Sequence, residues 1–572
     1  MLMMNIKSSE SKTDFSEVTM SKQSQHKNQS KKKGAPVKNT KNKKVMIIAA
    51  AVLVIALAVA ATVIGVKYFR GDFENVNPVT TQEYGEGERK EGEKYSYVEY
   101  DGVRMPVEFA DILNQAAIDS HKACESQGIA LTLGETQFSK PEFRMYYYEQ
   151  ACSQYEKAAD TELENGVNRS GFDIALAPSE QKHLQDDFTW QDHFVDNAVD
   201  RIKYCTATFE MAKNDGFEFN EQQIDALLSY CDTYKPAEDK MVSFYEENFG
   251  PGATYYMYCA KYIRDSYSQV YSTVKSSELE SAVTEEEMTK EFEDNRRDYL
   301  VAGCRVYPIE SKYEKAEVAG IKTEQQFIDF AQKNFTEIYG EGYDLSVRTE
   351  NRFLSYQTAA DVYGGEVADW LYDSKRKVGD IEVVETMLYD YLCYIEVLPF
   401  ESFSADVFLC EMAYQDLNNA ETIKNDQEGL KMLYDKWQKG EATVESLEAL
   451  TEGTVFTTGD YTARAGEELD RQILYWIFDD ARKEGDHGIF NTQEAAYIVY
   501  FKSHNKDQQD WKYYSTLYLA SVKFDKLLAD FVEENFDRER RNDSVINALC
   551  AEALPVCQDF SDRYRESIGL KK

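Results

Sequence analysis

The sequence predicts an α+β protein: an N-terminal transmembrane helix, an all-α module, two tandem copies of one α+β domain, and a long C-terminal helix packing back on the α module. Three observations predict it. Trp370-Leu-Tyr-Asp373-Ser-Lys-Arg376-Lys377-Val-Gly379-Asp380 returns 106 positions later as Trp476-Ile-Phe-Asp479-Asp-Ala-Arg482-Lys483-Glu-Gly485-Asp486. The run from Val45 to Val66 is uncharged and long enough, at 1.5 Å per residue, to cross a bilayer. Trp190, Phe194, Ala198, Ile202, Cys205, Phe209 and Ala212 recur every three or four residues, one apolar stripe on a long helix.

Residues 1–44 carry eleven lysines against three acids and no apolar periodicity, which reads as a disordered basic tail. By the positive-inside rule that tail stays cytoplasmic and the bulk of the chain lies outside a cell membrane crossed once. Cleavage after Ala60 is the rival reading, but the apolar run continues to Val66, longer than an ordinary signal-peptide core. Residues 67–105 are rich in Gly and Glu and read as a linker, with a short strand near Tyr95 to Tyr100.

The helical module is predicted over 106–298. Asn220 with Gln223, and Thr284 with Glu287, have capping-box spacing and start helices there. Ala253 to about Lys275 is a tyrosine-laden helix. The two repeats span 299–400 and 405–506, each opening and closing on a β-rich run, with helices between. The offset of 106 brings Tyr391 onto Tyr497 and, upstream, Val301 and Cys304 onto Val407 and Cys410, so one register is expected across about a hundred residues. The segment 510–572 is helical, with Leu517, Phe524, Leu528 and Phe531 on one side.

Of the net charge of −38, residues 1–66 hold +8, leaving −46 for the 506 that follow. So acidic a chain excludes nucleic acid as a partner and favours basic ones, if any. The ten cysteines show no close C-x-x-C pair, and Cys304 and Cys410 read as small buried hydrophobes. There is no Gly-x-Ser-x-Gly elbow, phosphate-binding loop, His-Glu-x-x-His or calcium loop, so no metal and no cofactor is expected. Trp370 and Trp476 read as core. Arg376-Lys377 and Arg482-Lys483 read as last-turn cations complementing a helix dipole.

Three features together carry a resemblance: the helix from Trp190 to Gly216 with its Ala-Lys-Asn-Asp-Gly ending, the Asn248-Phe-Gly250-Pro-Gly252 link into the tyrosine-rich helix, and the twice-used Trp motif. Over roughly residues 180–536 the chain resembles the membrane-anchored extracytoplasmic foldases of bacteria, the SurA-like chaperones and parvulin-type peptidyl-prolyl isomerases. The resemblance implies a SurA-like helical chaperone module followed by two parvulin-like domains. In that family two facing histidines, on the first and last strands, surround the prolyl bond. Here the chain has six histidines, none between His193 and His487. His487 falls in a turn and His504 after the closing strand. Arg305 or Tyr307, and Glu411 or Met412, stand on the first strands; Tyr391 or Cys393, and Tyr497, on the last.

The expected function is therefore chaperone-like binding of unfolded or nascent secreted polypeptides outside the membrane, by degenerate parvulin-like domains without cofactor. Client contacts are expected at Tyr255, Tyr256, Tyr258, Tyr262, Tyr307 and Met412, because tyrosine offers amphipathic area at low entropic cost. Two alternatives stay open. One is an active prolyl isomerase using Tyr391, Cys393 or Tyr497 in place of histidine. The other is a structural docking protein of an envelope complex.

Overall fold

The computed structural model describes residues 76–570 except 80, 86, 166, 169, 184–187, 237–240, 310–316, 341–343, 387–388, 415–418, 441–455, 466–468, 493 and 537. Among the described residues are fifteen α-helices and four small antiparallel sheets, an α+β architecture. None of these helices is long and apolar enough to cross a membrane. Residues 45–66, on which the transmembrane helix was placed, lie outside the described residues, as does the tail 1–44.

The chain forms two compact units. One comprises residues 76–282 with 520–570, the other residues 283–519. The first is not the all-α module expected, since five short strands lie in it, which corrects the predicted fold class. It opens with a hairpin of β1 (Tyr97–Tyr100) and β2 (Val103–Pro106), whose turn residues Asp101 and Gly102 both have positive φ, 51° and 79°. Two such residues in a two-residue loop match the twist of the flanking strands. After α1 (Val107–Gln127) come β3 (Ile129–Leu133) and β4 (Thr136–Ser139), and the sheet is completed by β13 (Glu539–Arg541), some four hundred residues on.

Helices α2 (Lys140–Asn165), α3 (Trp190–Asn214), α4 (Glu221–Thr233), α5 (Met241–Phe249) and α6 (Tyr255–Ser281) fill the middle. Thr189 and Asp192 close a capping box at the start of α3, and the stripe from Trp190 to Ala212 is buried. Phe524, Leu528 and Val532 of α14 (Asp510–Asn535) and Ile546, Leu549 and Ala553 of α15 (Asp543–Ser567) enter the same core.

The other unit begins with α7 (Glu285–Asp294), capped by Thr284 and Glu287, and contains both repeats. The first repeat runs β5 (Val301–Ile309), α8 (Glu324–Tyr339), α9 (Leu345–Arg348), β6 (Glu350–Ser355), α10 (Tyr356–Tyr363), α11 (Gly365–Leu371), β7 (Ile381–Glu385), β8 (Asp390–Phe400). The second runs β9 (Phe403–Ala413), α12 (Ala420–Gln438), β10 (Phe456–Ala463), α13 (Arg471–Ile477), β11 (His487–Asn491), β12 (Ala495–Gln509). Strand orders are β6-β5-β8-β7 and β10-β9-β12-β11, the same topology twice. In each, one helix packs on one sheet face and the Trp helix on the other. Phe327 and Phe330 of α8 cover Tyr307 and Leu392, while Val367 and Trp370 of α11 cover Cys304, Cys393 and Ile395.

The register is not gap-free. Elements α11 to β8 and α13 to β12 match at the offset of 106. On the first strands, however, Cys304 pairs with Ile395 and Val407 with Phe501, so those strands match three positions short of that offset. On the second strands Arg305 pairs with Glu350 and Phe408 with Asp460. Side chains alternate across a strand, so an odd shift changes faces. Cys304 lies under the Trp helix, Cys410 under α12; they are not equivalent. Arg376 and Arg482 are corrected as well. Their helices end at Leu371 and Ile477, and each guanidinium lies in the following turn, 4.8 Å from the centroid of its own tryptophan.

Candidate functional site

The tyrosines of α6 turn mostly inward. Tyr255 is buried, its hydroxyl donating to the Cys231 carbonyl at 3.2 Å. Tyr262 stacks on Tyr230 with centroids 3.5 Å apart, and the Tyr258 and Tyr230 hydroxyls are 3.1 Å apart. Burial pushes the phenols of Tyr255, Tyr258 and Tyr262 above their ordinary value. Of the four predicted there, Tyr256 alone is exposed, at 36 %. Tyr307 is buried against Phe330, centroids 6.0 Å apart, and Met412 lies in the core beneath α12. Tyr255, Tyr307 and Met412 are thus core residues and do not face a client. A tyrosine-rich helix looks the same in sequence whether its rings point at solvent or at other helices.

The candidate catalytic groups do not converge. Cys393 is buried beside Cys304, its thiol donating to the Tyr391 carbonyl at 3.8 Å and pushed well up by burial. Tyr391 packs edge-on to Tyr363 and Tyr389. Tyr497 belongs to the other repeat, where burial and then Glu411, which its hydroxyl hydrogen-bonds, raise the phenol. His487 stacks on Trp437 at 5.1 Å, and His504 lies within β12 rather than beyond it, its Nε2 2.9 Å from the Ile477 carbonyl oxygen. At the first-strand position of repeat one, Arg305 is buried and engaged. Its Nε and Nη2 donate to Glu324 at 2.9 and 2.8 Å, Nη1 reaches the Ser346 carbonyl, and Nε lies 2.7 Å from Glu396. Burial, opposed by Arg305 and reinforced by Glu324 and Glu350, raises the Glu396 carboxyl to about 7.

A different site lies where the two repeats meet, within the unit of residues 283–519. Tyr475 of α13 reaches the edge strand β6: its hydroxyl accepts from the Arg352 amide at 3.0 Å and donates to the Glu350 carbonyl at 3.1 Å. The Arg352 guanidinium covers the Tyr475 ring at 4.8 Å. Beside this contact is a cavity of about 190 Å³ lined by Phe353, Phe400, Ser402, Phe403, Ala465, Phe478 and Asp480. Phe353 comes from β6, Phe400 to Phe403 from the link between the repeats, and Phe478 from the residue after α13. Phe478 holds the rings together, meeting Phe353 at 5.2 Å and Phe403 at 5.8 Å and stacking on His504.

Beneath, Asp510 is buried; its carboxylate accepts from the Ser402 hydroxyl at 2.7 Å and its amide donates to the Ser402 carbonyl at 3.1 Å. This ties the link to the first turn of α14. At the mouth, Asp480 pairs with Lys506 at 3.0 Å.

The cavity is smaller than the ~300–1,000 Å³ of small-molecule sites and suits one large apolar side chain. The Ser402 hydroxyl in its wall is hydrogen-bonded to the buried Asp510 carboxylate, and the rest of the described lining is apolar except for Asp480, a composition that suits binding. Sequence reasoning missed it because its four phenylalanines span 125 positions; Phe400 and Phe403 bracketing the repeat junction are the one local signal. Among the described residues no group of three or more His, Cys, Asp or Glu is placed to hold a metal ion. No protein-family model matches the chain, and no curated protein matches it.

Proposed function

We propose that the chain binds unfolded polypeptide segments, in the manner of a foldase-type holdase, by accepting apolar side chains in the aromatic cavity between its two repeats. The observation that carries this reading is the cavity itself: four partly exposed phenylalanine rings around a space of side-chain size, beside a contact that fixes the repeats to one another. Desolvating one large apolar side chain is worth about 1.5–3 kcal/mol, so a single cavity gives weak contact, suited to transient holding. Prolyl isomerisation by Cys393 has no support in the geometry, since its thiol is buried in a strand core.

The test is fluorescence anisotropy with a labelled, permanently unfolded polypeptide and the full-length chain, together with light scattering of an aggregating protein. Wild type is expected to bind and to delay aggregation near one-to-one. Phe353→Ala with Phe478→Ala is expected to weaken binding about ten-fold or more, each truncation removing a few tens of Å² of apolar contact. Absence of binding and of any delay by the wild type rules this function out.

A further inference from the structure

Resting on that reading, we infer that the cavity selects an apolar side chain whose chain neighbour is basic, the neighbour's cation taking the seat that Lys506 now fills between Asp480 and the Phe403 ring. The chain itself displays the seat in use. Lys506 Nζ lies 3.0 Å from Asp480 and 5.6 Å from the Phe403 centroid, an ion pair and a cation–π contact made by one ammonium. Both partners line the cavity.

The seat is exchangeable. Asp480 and Lys506 side chains are 84 % and 61 % exposed, and exposed pairs of this kind are worth about 0–1 kcal/mol, so replacing Lys506 by a client's lysine or arginine costs little. Among the described residues, the other charges at the site are committed elsewhere. Glu401 is held by Arg296 and by Gln509 at 3.0 Å, Asp510 is buried under Ser402, and Arg464 covers Tyr513 at 3.5 Å. Among the described residues, Asp480 is therefore the carboxylate at the mouth that a client meets. The surrounding field acts in the same direction, because the chain carries −38 overall and draws basic segments toward it.

The occupant is thus a polypeptide segment with a large aliphatic or aromatic residue next to lysine or arginine. Its apolar side chain enters among the phenylalanines. Its cation sits at the rim, on the face of Phe403 and against Asp480, and Lys506 swings into solvent. Acidic neighbours at the same place meet Asp480 at close range and are disfavoured.

Three fluorescent octapeptides in a Gly/Ser frame test this, each with one central leucine flanked by lysine, glutamine or glutamate, titrated into the full-length chain at low and high salt. The lysine-flanked peptide is expected to bind about two- to five-fold tighter than the glutamine-flanked one at low salt, a margin that narrows at high salt. Lys506→Gln is expected to widen that margin by vacating the seat, and Asp480→Asn to remove it; both positions are exposed, so folding is preserved. Equal affinity for all three peptides, with Phe353→Ala weakening each of them, overturns the selection while leaving the cavity as a binding site. No binding of any peptide overturns both.

Discussion

Arg305 in the first repeat and Phe408 in the second stand at the same register of the same strand, opposite Tyr394 and Tyr500 respectively. Around Arg305 the first repeat gathers Glu324, Glu350 and Glu396; around Phe408 the second gathers Tyr434, Trp437, His487 and Tyr500. Where the first repeat has Glu350, paired with Arg352 at 2.8 Å, and Glu396, paired with Arg305 at 2.7 Å, the second has Asp460 and Lys502, which pair directly. One backbone framework therefore tolerates two solutions on the face beneath its long helix. One is a charge cluster held by a single buried guanidinium, the other an aromatic stack. The strand pairing alone does not decide which.

The sharpest way to break the comparison is to place methionine at both positions. Arg305→Met takes the cation from the half-exposed Glu324 and the more deeply placed Glu396 and is expected to cost about 1.5–3 kcal/mol at neutral pH, whereas Phe408→Met keeps volume and polarity and is expected to cost under about 1.5 kcal/mol. Urea unfolding of the two variants measures this, and equal midpoints would mean that the charge cluster contributes nothing distinctive.

Next in size is the pH response. The Glu396 carboxyl is raised from 4.5 to about 7, chiefly by burial, so the folded chain holds that proton more tightly than the unfolded chain does. The associated stability is fully present below about pH 4.5 and is lost as pH rises through about 7, at most about 3 kcal/mol and less to the extent that solvent reaches the group. Glu396→Gln should remove that component from the melting temperature between pH 5 and 8. Lys502→Gln, at the matching position of the other repeat, should leave it in place.

The same contrast shows what a linear sequence reveals. The Trp motif and the two strands after it keep a constant offset because they form a short, tightly turned unit in which an insertion would unseat Gly379 or Gly485, both at positive φ, 89° and 92°. The first strand is joined to that unit by longer connections that absorb insertions, so its register slid by three without trace in composition. Matching cysteines then suggested an equivalence that the sheet faces deny. The helical module was readable where an apolar stripe runs, as from Trp190, or where a capping box stands, as at Asn220. It was not readable at β3, β4 and β13, strands of three to five residues, the last of which joins the sheet across some four hundred positions. The cavity between the repeats stayed hidden for the same reason: Phe353 and Phe478 are neighbours only once the second repeat docks on the edge of β6.

That docking supplies the third prediction. Tyr475→Phe removes the hydroxyl that serves both the Arg352 amide and the Glu350 carbonyl, at an expected cost of about 0.5–1.5 kcal/mol. Hydrogen exchange at the Arg352 amide should speed up in the variant. Unchanged protection would show that ring packing with Phe353 and Phe478 holds the repeats together without it.

The smallest effect separates the two tryptophans. In each repeat an arginine covers the indole at 4.8 Å with its Nε buried and without a hydrogen-bond partner, so the ring and the neighbouring acids hold the guanidinium. In the first repeat Glu382 accepts from Trp370 Nε1 at 2.8 Å and from Arg376 at 2.5 Å, locking ring and cation together. In the second, Gly488 stands in place of Glu382, close under Trp476 and Phe490, and Arg482 pairs with the surface acids Asp479 at 3.4 Å and Asp486 at 3.7 Å. Arg376→Ala is therefore expected to cost about 1 kcal/mol and Arg482→Ala about 0.5 kcal/mol, the difference being the shared carboxylate. Parallel thermal melts resolve such a gap. Equal losses would assign the whole effect to the cation on the ring, and Glu382→Gln would then leave Trp370 emission unmoved.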